Sequence, residues 1–242
     1  MSLLAGILNL DKPAGISSAR AVAIVKRQLP RGTKIGHAGT LDPFATGVLL
    51  LLVGRATKAC EGLMDAPKTY DATVRLGATT ATDDPEGEAV PWARADGREV
   101  EPPAAEAVVA ASARFVGTIL QRPPAFSAMK VGGRRAYTLA RGGADVQLAA
   151  RPVRVYGLEL LGYAWPEVRI AVRCGRGTYV RAIARDLGEA LDCGGHLTAL
   201  RRTASGGFRV EDAATLEEVA ERGVEPLLKP VPAPPPAPAA GA

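Results

Sequence analysis

Residues 47–54 read "GVLLLLVG", six consecutive apolar residues with a glycine at each end. The run is too short for an amphipathic helix and shows no alternation, so it suits a strand buried on both faces. It is also far short of the roughly 20 apolar residues that a membrane span needs. A second segment, "KTYDATVRLG" at 68–77, alternates. Tyr70, Ala72, Val74 and Leu76 share one face, and Thr69, Asp71, Thr73 and Arg75 the other, which is the pattern of a half-buried strand. Further strands are expected at Gly6–Leu10, at Val153–Leu161, at Val168–Cys174 and along "HLTALRRT" from His196. Helices are expected after a Ser17 or Ser18 cap, with Ala19, Val22, Ala23 and Val25 inward, then at Ala56–Met64 and Pro103–Phe115. Another begins near Thr178, where Val180, Ile183, Ala184 and Leu187 form an apolar stripe, and a last short one covers Leu216–Ala220. The order lacks the regular βαβ beat of a doubly wound sheet. It predicts an α+β fold with a central mixed, mostly antiparallel sheet and flanking helices.

With 242 residues, 47% of them hydrophobic, the chain can build one sizeable core or one domain with an insertion. Lys and Arg number 30 against 25 Asp and Glu, a net +5 that suits a polyanion without identifying one. The bases concentrate at 120–154. Arg122, Lys130, Arg134, Arg135, Arg141, Arg151 and Arg154 lie there with Asp145 as the single acid, among Pro123-Pro124, Gly132-Gly133 and Gly142-Gly143. A charge run is ordinarily a solvated loop. The near absence of acids points instead to an exposed hairpin-plus-helix insertion that faces nucleic acid. By contrast "TTATDDPEGE", residues 79–88, reads as an acidic loop. Three cysteines without a Cys-x-x-Cys pair exclude a disulfide framework and suit a reducing cytosol. His37 and His196 stand far apart with no metal-ligand spacing, so no metal is expected. The N-terminal run lacks a basic region and is broken by Asp11-Lys12, so it is not read as a signal peptide, and a soluble cytoplasmic protein is expected. Residues 1–222 are expected to form the folded domain, and 223–242, ending "KPVPAPPPAPAAGA", an extended Pro/Ala tail.

The chemical candidates are individually plain. In "GHAGTLDP", residues 36–43, an Asp before Pro and ahead of an apolar segment reads locally as a helix N-cap. The loop has neither the spacing nor the Lys of a Walker A phosphate cradle. His37, Tyr70 and Leu200 each read as structural residues. Arg181 lies in the first turn of a helix, where the dipole prefers anions, and this points to a carboxylate partner.

Together the segments carry more. "LDKPAGISS", "GHAGTLDPFATGVLLLLVGRATK", "KTYDATVRLG", "RGTYVR" and "GGHLTALRR" occur in this order. The set resembles the bacterial tRNA pseudouridine synthases of the B type, which modify the T-loop uridine, over about Gly6 to residue 220. Ala38 departs from the Thr common in that loop. The resemblance implies the pseudouridine-synthase fold. It also implies a reaction in which the bond from uracil N1 to ribose C1′ breaks, the base turns, and C5 takes its place, with no cofactor and no metal. Asp42 is the implied nucleophile, ionised at neutral pH given an ordinary pKa of about 3.9. Its target, C1′, C6 or a C2′ proton, is left open. Arg181 fits the guanidinium that pairs with the catalytic carboxylate, and Tyr70 fits the tyrosine that stacks on the uracil. Tyr179 and Leu200 fit pocket-lining positions. The target base must be flipped out at a cost of a few kcal/mol, and His37 fits the residue that enters the vacated space. Lys130, Arg134, Arg135 and Arg141 correspond to an RNA-gripping insertion. Many relatives continue into a PUA-type RNA-binding domain, where this chain has the Pro/Ala tail after Lys229. The implied partner is the tRNA T-arm, met by a monomer with no obligatory protein partner. Two other readings are a tRNA-binding folding helper and a guide-RNA-dependent synthase with partner proteins. Intact Asp42, Tyr70 and Arg181 weigh against the first, and the basic insertion against the second.

Overall fold

The computed structural model describes residues 4–127, 129–131, 134–135, 137 and 148–232. Its strands are β1 (Gly6–Lys12), β2 (Ile35–Ala38), β3 (Thr46–Val53), β4 (Lys68–Leu76), β5 (Ala78–Thr79), β6 (Val90–Pro91) and β7 (Gly117–Gln121). They continue with β8 (Lys130–Val131), β9 (Arg134–Arg135), β10 (Arg151–Ala164), β11 (Glu167–Cys174), β12 (Gly195–Ser205), β13 (Phe208–Arg209) and β14 (Leu228–Lys229). The helices are α1 (Ser18–Lys26), α2 (Cys60–Asp65), α3 (Ala105–Ala113), α4 (Val180–Ala190) and α5 (Leu216–Arg222). The fold is α+β as expected, and the strand ladders described below are antiparallel. The chain divides into two compact units, Met1–Ala66 with Thr203–Ala242, and Pro67–Arg202.

In the first unit β3 is the buried strand that its composition predicts. It pairs with β1 from Gly6↔Val53 to Lys12↔Gly47, and with β2 from Ile35↔Val53 to Ala38↔Leu50. Val48 to Val53 are all buried. Removing each of these leucines from water contributes about 2 kcal/mol, so a polar residue in the run would cost at least that much. Ile7, Ala38, Val48, Leu50, Leu52, Ala56 and Phe208 form one core cluster, and Cys60, Leu63 and Met64 pack against it. The segment expected as one helix from Ala56 is a 3₁₀ stretch, Gly54–Ala59, followed by α2. Ser17 caps α1 as expected, but the inward face is Ser18, Ala21 and Val25, while Ala19 and Ala23 are exposed. Past Arg222, where the folded domain was expected to end, Leu228 and Lys229 still pair with Leu8 and Ile7.

In the second unit the strand order is β12-β4-β11-β10-β7. The alternation of 68–77 appears as predicted, with Ala72, Val74 and Leu76 buried and Asp71 and Arg75 exposed. Tyr70 lies opposite Val172. The buried face is covered by α4, whose Val180, Ile183, Ala184 and Leu187 are all buried. Gly188 is required on this helix. A Cβ there would lie 2.1 Å from the carbonyl carbon of Gly194, at the start of β12.

Candidate active site

The loop bearing Asp42 belongs to the first unit, and the expected helix cap is corrected there. No helix follows Pro43. The Asp42 carbonyl accepts from the Ala45 N–H at 3.2 Å, a turn that feeds β3, so Asp42 is not a helix cap. Gly39 adopts φ +92°, a left-handed conformation that favours glycine. The backbone on each side of Asp42 is pinned. The Ser18 hydroxyl donates to the Leu41 carbonyl at 2.9 Å and accepts from the Leu41 N–H at 2.8 Å. The Pro43 carbonyl accepts from the Gly15 N–H at 2.9 Å and from Lys12 Nζ at 3.2 Å. Lys12 is completely buried, and its ammonium also donates to the Pro13 and Ile16 carbonyls at 2.7 and 2.8 Å. The segment "LDKPAGISS" therefore supplies three residues, Lys12, Gly15 and Ser18, that hold the Asp42 loop. The sequence offered no local signal of this, because the contacts are long-range. His37 lies on β2 opposite Leu51, half-buried, and its carbonyl accepts from Cys60 Sγ at 3.6 Å.

Tyr70, Tyr179, Arg181 and Leu200 belong to the second unit. Tyr179 is the N-cap residue of α4, and its backbone is held by the buried Gln121. The Gln121 side chain accepts from the Tyr179 N–H at 2.8 Å and donates to its carbonyl at 3.1 Å. Arg151 faces the Tyr179 ring at 5.7 Å from the centroid. Arg202, 1% exposed, faces the Tyr70 ring at 6.0 Å. Leu200 is buried on β12.

Within the second unit Arg181 has a carboxylate partner, Asp84, which the sequence did not single out, whereas the family resemblance pairs Arg181 with Asp42. Arg181 forms an ion pair with Asp84 at 2.9 Å, with both side chains 4% exposed. Its guanidinium also donates to the carbonyls of Thr82 and Phe126, each at 2.9 Å. Asp84 is fixed in turn by Thr82 Oγ1 at 2.6 Å and the Glu86 N–H at 3.0 Å. Thr80 Oγ1 meets both backbone groups of Asp84. One helical turn on, Arg185 pairs with Asp83 at 2.9 Å. Burial pushes the Asp83 carboxyl above the usual aspartate range, outweighing the Arg185 charge beside it. The "acidic loop" is thus a socket for two arginines of α4, a role that its composition did not announce.

In the insertion, β8 and β9 form the expected hairpin, with Lys130↔Arg135 and Val131↔Arg134. Arg141 and the helix expected after the hairpin lie outside the described residues. Among the described residues no cluster of His, Cys, Asp and Glu could hold a metal ion. Nor is any helix long and apolar enough to cross a membrane.

The first unit thus carries a carboxylate on a pinned loop, and the second carries tyrosine rings faced by arginines. Each lies in a chain most of which resembles pseudouridylate synthases. Residues 26–180 match "TruB family pseudouridylate synthase (N terminal domain)", and 181–230 match "tRNA pseudouridylate synthase B C-terminal domain". The chain belongs to the TruB family of pseudouridylate synthases. It is 48% identical over 221 residues to the tRNA pseudouridine synthase B of Mycobacterium tuberculosis, covering 90% of this chain and 72% of that relative. It is 50% identical over 226 residues to that of Ruegeria pomeroyi, covering 93% and 72%. Among solved structures, a chain of an archaeal box H/ACA sRNP matches with a TM-score of 0.64 and 29% identity, over 92% of this chain and 57% of that one. An H/ACA RNP bound to a substrate RNA containing 2′-deoxyuridine matches at 0.65 and 28%, over 92% and 56%. This chain spans less than two thirds of those two chains.

Proposed function

We propose that this chain isomerises the T-loop uridine of tRNA to pseudouridine, with Asp42 as the nucleophile. The observation that carries the reading is the Asp42 loop. Its backbone is pinned on both sides by Ser18, Gly15 and Lys12, an arrangement that aims a carboxylate. The reaction needs nothing else of redox or metal character. The N1–C1′ bond breaks, the base turns, C5 bonds to C1′, and the C5 proton is lost as N1 regains one. Tyr70 stacks on the uracil, and Arg181, held by Asp84, supplies the positive charge that keeps a catalytic carboxylate ionised. Tyr179 and Leu200 line the base pocket. His37 fills the space that the flipped base leaves, and Lys130, Arg134, Arg135 and Arg141 grip RNA phosphates. The enzyme works as a cytoplasmic monomer without a protein partner or cofactor. Incubating the purified chain with unmodified tRNA and mapping pseudouridine tests the reading. Modification at the T-loop uridine is expected, and Asp42→Asn should abolish it while tRNA still binds. Substantial turnover by Asp42→Asn would remove Asp42 from the nucleophile's role.

A further inference from the structure

The outward face of the β10–β11 ladder carries an arginine–tyrosine cluster in which Arg154, the last base of the 120–154 stretch, meets Tyr156 and Arg173, which no role above uses. Tyr156 is 43% exposed. It sits at a bulge, since Val155 pairs with Cys174 and Gly157 with Arg173, which leaves Tyr156 without a residue opposite. The Arg173 guanidinium covers its ring at 5.2 Å from the centroid. Arg154, two residues earlier on the same face, is exposed and donates to Thr118 Oγ1 at 3.0 Å. Among the described residues neither arginine forms an ion pair with a carboxylate. Arg94, Arg98, Arg122, Arg181, Arg185 and Arg209 all do. Arg154 and Arg173 therefore stand beside an exposed ring with no carboxylate among the described residues within ion-pair distance, although Asp71 and Glu159 lie opposite Ala171 on the same face. Such a combination matches a phosphodiester chain, with guanidinium forks for phosphate oxygens and a flat face for a nucleotide. Its position agrees. The chain enters the basic insertion from β7 and leaves it into β10, so Arg154 stands at the root of that insertion and pairs with Thr118 across the two strands.

We infer that Arg154, Tyr156 and Arg173 form a second RNA-binding surface, which holds the substrate's backbone and one nucleotide face away from the target uridine. The inference rests on the proposed tRNA substrate and extends it. The test uses the full chain and an unmodified tRNA transcript, with affinity measured over a salt series. The double variant Arg154→Gln, Arg173→Gln should bind at least about tenfold more weakly. Its slope of log affinity against log salt should fall by about 2, near 0.9 for each phosphate that is no longer neutralised. Tyr156→Ala should weaken binding by about tenfold, and Tyr156→Phe, which keeps the ring, should bind like the parent. A purely structural role would not move the salt slope. Should the glutamine variant melt early, Arg154→Lys with Arg173→Lys keeps both charges and should restore the slope. Parental slope and affinity in the glutamine variant, or no difference between Tyr156→Ala and Tyr156→Phe, overturns the inference. If the parent makes no pseudouridine in tRNA and yet the slope falls on substitution, the catalytic reading fails and the surface stands.

Discussion

Asp84→Asn tests how much of the second unit's site depends on the pair with Arg181. The substitution keeps the shape of the side chain and one oxygen acceptor, which Thr82 Oγ1 and the Glu86 N–H can still use. It removes the charge 2.9 Å from a guanidinium that is 4% exposed. Breaking a buried pair from one side costs about 3–5 kcal/mol, because the surviving charge is left in a poorly solvated place. With one oxygen retained, the lower end applies, about 3 kcal/mol. For a chain of this size that lowers the melting midpoint by about 6–12 °C, at about 2–4 °C per kcal/mol. Thermal and denaturant unfolding followed by circular dichroism read this directly. Pseudouridine formation should fall as well, since the guanidinium loses the group that aims it. A midpoint within about 1 °C of the parent would refute the argument.

Ser18→Ala leaves both backbone groups of Leu41 without the hydroxyl that serves them, and about 1–3 kcal/mol is expected for each such group. Denaturant unfolding measures that loss. Single-turnover pseudouridine formation should drop more than tRNA affinity, because the Asp42 loop is loosened rather than the RNA surface. Unaltered turnover would mean that the clamp does not aim Asp42. The cysteines give a pH-dependent test. Burial pushes the thiols of Cys174 and Cys193 up to about 11, so their reactive thiolates appear only as pH rises toward that value. At pH 8 about a thousandth of each is ionised, and alkylation of the folded protein followed by mass spectrometry should label Cys60 first. Rapid native labelling of Cys174 or Cys193 would contradict their burial.

What the sequence displayed was local periodicity. The run Val48–Val53 and the alternation from Tyr70 to Leu76 announce strands, and the stripe Val180, Ile183, Ala184, Leu187 announces a helix face. Each is a property of neighbouring residues. In α1 the pattern was ambiguous, because alanine, valine and isoleucine occupy nearly every position from Ala19 to Val25. The choice falls to Ser18, whose hydroxyl belongs to Leu41 in another segment. Asp84 was hidden for the same reason. Ten residues rich in Asp, Glu and Thr resemble a solvated loop, and the arginine that buries Asp84 lies 97 residues away. Lys12 ran against expectation too. A fully buried lysine was not foreseen, and its partners include carbonyls, which leave no compositional trace.

The residues singled out for chemistry and the residues that hold them divide along this same line. Asp42 and Arg181 were singled out because the ordered motifs around them resemble a known family, not because either residue stood out locally. Ser18, Gly15 and Lys12 act on the backbone around Asp42, while Thr80 and Thr82 fix Asp84, which fixes Arg181. A carboxylate that must meet one atom of a flipped nucleotide gains little from charge alone if its position wanders, since a displacement of about 1 Å can cost about a hundredfold in rate. Both supports rely on short hydrogen bonds to atoms that cannot rotate away, namely backbone carbonyls, backbone N–H groups and a carboxylate that is itself tied down. Substitutions at the supporting positions should therefore lower the rate through geometry, leaving the chemistry intact but misaimed, whereas under the proposed mechanism substitutions at Asp42 would remove the reacting group itself.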